Sequence, residues 1–296
     1  MARKFNTISL IGKFQSTDGA AVTVLDLAGY LRERGFDVWV EQDTATAIGG
    51  AAGDFTTAAY EKIAAEADLV VVVGGDGTLL NAARRMGERA VPLVGVNLGR
   101  LGFLTDLSRA DARRQLGEIL DGRYRAESRF MLDAEVIRAG ERIFHTLALN
   151  DVVVNRGNLG RMIEFELRVD GEFVYTLLSD GMIIATPTGS TAYALAANGP
   201  ILHPGVPGIA LVPLCPQALS ARPVTLPDTS RIEIVLMPPH DARIHFDGAA
   251  YCDGRAGDRL RIVRSPLAVR LLHPEGYSYF SMLREKLHWS AAMPRP

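Results

Sequence analysis

Gly74-Gly75-Asp76-Gly77-Thr78 sets three glycines around one carboxylate, directly after the apolar run of residues 70–73. Glycines at the end of a buried strand leave bare backbone, and the N–H groups of the helix that follows can receive phosphate closely. The acid is the unusual part. A pure phosphate cradle gains nothing from Asp76, which repels such a ligand. A carboxylate in that place suits contact with a sugar hydroxyl, or with a metal ion beside the phosphate. A tight turn with Asp as turn former is the plainer alternative, although three glycines around one acid exceed what a turn needs.

A second run lies far along the chain: Ser179-Asp180-Gly181-Met182-Ile183-Ile184-Ala185-Thr186-Pro187-Thr188-Gly189-Ser190-Thr191-Ala192-Tyr193. Residues 182–185 read as a buried strand, Pro187 and Gly189 bend the chain, and Ser190 or Thr191 caps a short helix through Ala196. A hydroxyl-rich helix start favours an anion or polar ligand, and an ordinary N-cap after a loop is the other reading. No Gly-x4-Gly-Lys-Ser/Thr loop, HExxH or GxSxG motif occurs. His203, His240, His245 and His288 are spread out and read as surface or structural groups.

Two kinds of element must position these runs. Residues 1–125 alternate strand and helix signals: strands at 7–11, 36–40, 69–73 and 91–96, and helices at 56–66 and 78–86. A further helix, capped by Asp18 and ended by Gly35, puts Val24, Leu27, Ala28 and Leu31 on one face. Successive β–α–β units imply a doubly wound parallel, Rossmann-like sheet, with ligands beyond the carboxyl ends of its strands. The Gly-Gly-Asp-Gly turn is at one such end, and Asn97-Leu98-Gly99-Arg100-Leu101-Gly102 is at the next. The small-residue run 45–52 reads as a mobile loop.

From residue 126 to 280 the pattern becomes mainly β, a sandwich-like domain. Ile163, Phe165, Leu167 and Val169 alternate with Glu164, Glu166 and Arg168, Asp170-Gly171 turns the chain, and residues 173–177 return as a hairpin. Other strands are expected at 131–138, 143–154, 180–186, 208–214, 231–237, 243–247, 259–264 and 267–272. The segment 281–296 reads as helical and as packing back on the first domain.

Composition narrows the function classes. A chain of 296 residues holds two domains with proper cores, and its 48% hydrophobic and 22% charged fractions are those of a soluble globular protein. A net charge of −2 leaves no basic excess for nucleic acid or a membrane surface. Cys215 and Cys252 form neither a CxxC pair nor a metal spacing, which suits a reducing compartment. Asn6, Thr7, Ser9 and Lys13 interrupt the amino terminus before a signal-peptide core develops. No stretch approaches the roughly 20 apolar residues of a membrane helix. The expected location is the cytoplasm.

Taken together, the motifs resemble the NAD kinase family of bacterial type, over almost the whole chain. The match includes Gly74 to Thr78, Leu98-Gly99-Arg100-Leu101-Gly102-Phe103-Leu104, Asn150-Asp151 and the run Ser179 to Tyr193. It continues through Asn198-Gly199-Pro200-Ile201, Leu219-Ser220-Ala221-Arg222-Pro223 and His273-Pro274 with Tyr277-Ser278-Tyr279-Phe280. The Gly-Gly-Asp-Gly turn alone is also similar to diacylglycerol and sphingosine kinases and to phosphofructokinases. The combination with the Thr-Gly-Ser run is far more specific.

The resemblance implies ATP-dependent, Mg2+-assisted phosphorylation of the 2′-hydroxyl of the adenosine ribose of NAD, giving NADP. It implies Asp76 as general base or as a group orienting the hydroxyl or the metal, with Gly77 giving close backbone approach. Asn150 and Asp151 would hydrogen-bond NAD, an amide and a carboxylate suiting the donor and acceptor edges of ribose and base. Asp180, Thr191, Ala192, Tyr193, Ala194, Leu195 and Ala196 match positions lining the dinucleotide site, where Tyr193 could stack on a base or serve the core. His273 matches the family pattern in a structural role, and no protein-held metal centre is implied.

Three departures stand out. Leu178 occupies a place where some relatives carry an arginine tied to the choice between NAD and NADH. Arg161 aligns with a ligand-facing polar position or is a solvated strand end. Ala249, after Asp247-Gly248, replaces a frequent glutamine and offers backbone contacts only. ATP and polyphosphate both remain open as donors, and family members are usually homodimers or homotetramers. A lipid kinase is the second enzyme reading, but it needs membrane access, and no basic amphipathic segment is present. A non-catalytic NAD(P)-binding sensor is the third, and it would have been favoured by loss of Asp76.

Overall fold

Valine-rich strands buried on both faces build the parallel sheet of the first of two units. The computed structural model describes residues 4–12, 19–49, 55–86, 90–99, 102–157 and 161–289. Its two units are Met1–Ser128 with Val269–Pro296, and Arg129–Ala268. The first runs β1 (Thr7–Gly12), α1 (Gly19–Glu33), β2 (Asp37–Glu41), α2 (Gln42–Ile48), β3 (Thr56–Ala58), α3 (Tyr60–Glu66), β4 (Leu69–Val73), α4 (Asp76–Arg85), β5 (Leu93–Asn97), β6 (Leu107–Ser108) and α5 (Ala112–Leu120). The strands pair in parallel in the order β3-β2-β1-β4-β5-β6. Every residue of β4 and β5 is buried, as helix-covered parallel strands require. α1 buries Val24, Leu27, Ala28 and Leu31, the expected stripe.

Local chemistry explains where this unit departs from expectation. Residues 45–48 belong to α2 rather than to a loop, because the Glu41 carboxylate caps that helix through the N–H groups of Asp43 and Thr44. The rest of that expected loop, residues 50–52, lies outside the described residues, as do Asp18, Arg100 and Leu101. The helix expected from residue 56 begins at Tyr60, since β-branched Thr56 and Thr57 pair with β2 as β3. α4 starts at Asp76 rather than Thr78, which puts the carboxylate in the first helical turn. α5 and β6 carried no sequence signal that we read.

The second unit is antiparallel. It contains β7 (Tyr124–Arg138, shared with the first unit), β8 (Glu141–Ala148), β9 (Asp151–Asn155), β10 (Ile163–Val169), β11 (Glu172–Ser179), β12 (Gly181–Ala185), α6 (Tyr193–Ala196), β13 (Gly208–Leu214), β14 (Val224–Pro227), β15 (Ile232–Leu236), β16 (Ala242–Phe246), β17 (Ala250–Gly254) and β18 (Arg259–Pro274). One sheet has the order β11-β10-β15-β18, with β7 and β8; the other has the order β14-β13-β12-β9-β16-β17. Phe165, Leu167, Ile234 and Ile262 of the first sheet share one core with Val152, Met182, Ile184 and Phe246 of the second. The expected hairpin is β10–β11, turned by Asp170 and Gly171 at φ 54° and 85°, the two-residue geometry that Asp-Gly favours.

The strand expected at 143–154 is two strands, broken at Leu149-Asn150 where the backbone N–H groups turn to the Asp247 side chain. The strands expected at 259–264 and 267–272 are one, β18. β14 and β17 went unread. β18 re-enters the first unit, where Leu271 pairs with Leu93, and α7 (Tyr279–Leu287) follows, capped by the Ser278 hydroxyl. Among the described residues no helix is long and apolar enough to cross a membrane.

Candidate functional site

In the first unit, Asp76 projects from the first turn of α4, behind Gly75 as N-cap. Its Oδ2 accepts the Phe103 N–H at 2.8 Å, and its Oδ1 accepts the N–H groups of Leu104 at 3.0 Å and Thr105 at 3.2 Å. The Thr105 hydroxyl donates to the same Oδ1 at 3.2 Å and accepts the Asn97 amide at 2.9 Å. Asn97 in turn accepts the Gly99 N–H at 2.7 Å, so the carboxyl end of β5 and the chain before β6 are tied to one acid. The close fit dictates glycine at 102, where a Cβ would collide with Asp76 Oδ1 and the Thr105 hydroxyl.

Gly75 and Gly77 differ from Gly102. Neither has a positive φ, and a Cβ at either would meet nothing within 4 Å. Neither backbone strain nor internal packing within the described residues therefore calls for glycine there. What the two glycines provide is bare backbone beside the Asp76 carboxylate. Gly74 is a packing glycine, since a Cβ would strike the Thr78 hydroxyl, 2.5 Å away.

In the second unit, Asn150, Asp151, Ala192 and Tyr193 line one cleft of about 380 Å3 with Val153, Asn155, His245, Asp247 and Gly248. Its floor depends on Asp247. Asp247 and Gly248, at φ 50° and 66°, are the central residues of the turn in the three-residue connection 247–249 between β16 and β17, closed by the Ala249 N–H on Phe246 O at 3.1 Å. From that turn Asp247 accepts the N–H groups of Leu149 at 2.9 Å, Asn150 at 2.7 Å and Asp151 at 3.2 Å. Gly189 packs against Asn150, because a Cβ there would collide with the Asn150 carbonyl.

Two polar groups in this cleft stand in unusual surroundings. Asn150 Oδ1 is buried with no hydrogen-bond partner among the described residues, a state that costs about 1–3 kcal/mol until a donor arrives. The Asp151 carboxyl is 5% exposed and is pushed up to about 7, by burial first and by the charge of Asp247 second. His245 shares the cleft and is pushed down, mainly by burial and then by Arg243, with Asp253 opposing. Tyr193 stands 48% exposed at its rim.

The hydroxyls of the Thr-Gly-Ser run have another task than the one expected of them. No side chain caps α6, whose N-cap is Ala192. Ser190 is fully buried, donating to Pro187 O at 2.7 Å and accepting the Leu202 N–H at 2.9 Å. Thr186 donates to Leu149 O at 2.6 Å and Thr191 to Thr188 O at 3.2 Å. These groups fix the turn that presents Ala192 and Tyr193, because a buried hydroxyl must find protein partners.

The remaining expected residues do not line that cleft. Ala194 belongs to the apolar cluster around Val153 and Ile183, Leu195 is half-buried and Ala196 is exposed. Asp180 lies 3.4 Å from Arg156, Leu178 is half-buried on β11, and Arg161 and Ala249 are exposed. Among the described residues no group of three or more His, Cys, Asp or Glu side chains is arranged to hold a metal ion. A larger cleft of about 470 Å3 in the second unit holds none of the expected residues; in it His145 lies 2.8 Å from Asp133, and Arg261 pairs with Glu233 at 3.1 Å.

Asp247 and His245 are the residues that sequence reasoning missed. The Asp-Gly dipeptide before a strand was a visible hairpin signal for Asp247, whereas nothing local marked the partner backbone 96 to 98 residues away. His245 had no signal beyond its alternation on β16.

Comparison with known proteins gives a consistent picture. The family model described as the ATP-NAD kinase N-terminal domain matches residues 10–124, and that of the C-terminal domain matches residues 149–273. The chain is 72% identical over 295 residues to the NAD kinase of Azoarcus sp., covering 100% of this chain and 99% of that protein. It is 70% identical to the NAD kinase of Aromatoleum aromaticum, covering 100% and 98%. Among solved structures, yeast NADH kinase complexed with NADH superposes with a TM-score of 0.90 at 26% identity, over 99% of this chain and 90% of that one. An NAD kinase from Archaeoglobus fulgidus in complex with ATP gives 0.76 at 26% identity, over 95% and 98%. With both domain models matched and full-length relatives above two-thirds identity, this chain belongs to the ATP-NAD kinase family.

Proposed function

We propose that this chain transfers the terminal phosphoryl group of ATP to the 2′-hydroxyl of the adenosine ribose of NAD, giving NADP and ADP. The observation that carries the reading is Asp76, an acid fixed beside the open backbone of Gly75 and Gly77. Oδ1 takes three contacts and Oδ2 only one, from Phe103, so the proton leaving the ribose hydroxyl has a site on Oδ2. As that proton moves to Asp76, the hydroxyl oxygen bonds phosphorus and the bond to the ADP oxygen breaks. The bonds from residues 103–105 keep the carboxylate from turning away during this step.

In the second unit, Asn150 and Asp151 suit the polar edges of adenine and ribose, and Tyr193 offers a ring for stacking on a base. Family resemblance adds Asp180, Arg161, Leu178, Thr191, Ala192, residues 194–196 and Ala249 as contacts to the dinucleotide. Mg2+ would enter as an ion carried by the nucleotide phosphates. When bound it neutralises charge on the transferring phosphoryl group. The domain limits that serve this reading are 1–125 for the phosphoryl-transfer half and 126–280 for the dinucleotide half, with 281–296 returning to the first. A cytoplasmic location fits two thiols that form no disulfide, Cys215 and Cys252. Assembly as a homodimer or homotetramer rests on the family alone.

The test is direct. Purified protein with NAD, ATP and Mg2+ should yield NADP, detected by an NADP-specific dehydrogenase. No NADP with any phosphoryl donor overturns the reading.

A further inference from the structure

Behind the Asp76 loop lies a buried ion cluster that the reaction scheme does not use. His273, near the end of β18, is 1% exposed. Its Nδ1 is 3.0 Å from Asp106 Oδ2, and its Nε2 is 3.2 Å from Glu127 Oε2, the latter an ion-pair contact rather than an aligned hydrogen bond. Both carboxylates are themselves largely buried, and the Tyr277 ring stacks on the imidazole at 4.0 Å and 13°.

A neutral imidazole donates from one nitrogen only, which would set the other lone pair against a carboxylate. The imidazolium satisfies both acids. Burial by itself lowers the affinity of His273 for its second proton, but Asp106 and Glu127 together outweigh burial, and the net direction is upward. The other charged groups around the adjoining cleft are Arg114 and Glu118 on α5, Glu275 after β18 and Glu285 on α7. Arg114 is engaged by Asp111 and Glu118, at 3.1 Å each.

The position of this cluster gives it a consequence at the reacting carboxylate. Asp106 directly follows Thr105, the last of the three residues whose N–H groups hold Asp76. We propose that His273 is a positioning residue for Asp76: as an imidazolium between Asp106 and Glu127 it anchors the loop that aims the Asp76 carboxylate. This rests on the role given to Asp76 above. Loss of the His273 proton removes the positive charge between Asp106 and Glu127 and sets a bare nitrogen lone pair against one of the two acids, so the loop loosens and the Asp76 carboxylate loses alignment. Misplacement by about an ångström costs on the order of 10²-fold in such reactions, so even partial loosening is measurable in turnover.

The experiment pairs kinetics with NMR. In the wild type, kcat should fall as pH rises through the titration of His273, with KM for NAD nearly constant. His273→Gln should lower kcat about tenfold at neutral pH, leave KM for NAD within about threefold, and lose that alkaline fall. Backbone amide signals of Phe103, Leu104 and Thr105 in the wild type should titrate together with the His273 ring. That last readout stands even where His273→Gln fails to fold, and it requires no NADP formation. A protein that makes no NADP contradicts the kinase reading and leaves the amide readout to judge the anchor. Amides that ignore the His273 titration, or a folded His273→Gln with wild-type kcat at every pH, overturn the proposal.

Discussion

Asp76 in the first unit and Asp247 in the second perform one mechanical task in different surroundings. Asp76 gathers the N–H groups of residues 103–105, and Asp247 gathers those of residues 149–151. Charge-assisted bonds from several backbone donors are among the stronger ways to fix an irregular segment. The difference lies beyond the clamp. Asp76 stands on a helix start with open glycine backbone on either side, whereas Asp247 stands in a hairpin turn beside the buried Asp151 carboxyl, whose proton affinity it helps to raise. The same device therefore fixes a carboxylate beside open backbone in one unit and shapes the floor of a cleft in the other.

The comparison breaks most visibly at Asp247. Asp247→Ala leaves three backbone N–H groups without their acceptor, and the loss should be on the order of 3 kcal/mol. We expect a clear drop in melting temperature and NAD affinity weakened at least about tenfold, with kcat at saturating NAD much less affected. Calorimetric titration that finds wild-type affinity would remove the floor role.

Asp151 sharpens the contrast through pH. Its carboxyl titrates near 7 in the folded chain against an ordinary 3.8, so the folded state keeps a proton that the unfolded state has lost between those values. The group's contribution to stability is therefore greatest at low pH and declines as pH rises through that window. Asp151→Asn removes the decline. Relative to wild type the variant should gain about 2–3 kcal/mol more at pH 8 than at pH 5, read from denaturant unfolding at both. An equal difference at the two pH values contradicts the burial argument.

A smaller effect belongs to the clamp on Asp76. Thr105→Val removes the hydroxyl that donates to Asp76 and accepts from Asn97, and kcat should fall about tenfold with little change in KM. Thr105→Ser should restore it, and steady-state kinetics in which the valine variant matches wild type would detach the hydroxyl from catalysis.

The sequence made some of this legible and hid the rest for physical reasons. The parallel sheet was readable because β4 and β5 are continuous apolar runs, and the β10–β11 hairpin because alternation and Asp-Gly coincide. The Gly-Gly-Asp-Gly turn was readable because strand end, glycines and acid are contiguous. The clamps were not, since the donors to Asp76 lie 27 to 29 residues away and those to Asp247 lie 96 to 98 residues away. Long-range partners leave no local pattern. The hydroxyls of Thr186, Ser190 and Thr191 misled in the opposite way. They look like ligand donors in a linear reading, and their partners are backbone groups that only the fold brings near. α2 escaped because its cap is Glu41, an uncommon N-cap residue, and its small residues imitate a loop.

The most direct test of the central claim, that Asp76 acts on the reacting hydroxyl rather than merely shaping the unit, is Asp76→Asn, with NAD affinity and NADP turnover measured on one preparation. The amide keeps the volume and most hydrogen-bond geometry but cannot take the proton. The account predicts NAD binding within about threefold of wild type and turnover reduced by about 10²–10⁴-fold. A folded variant that binds NAD and turns over like wild type would contradict it.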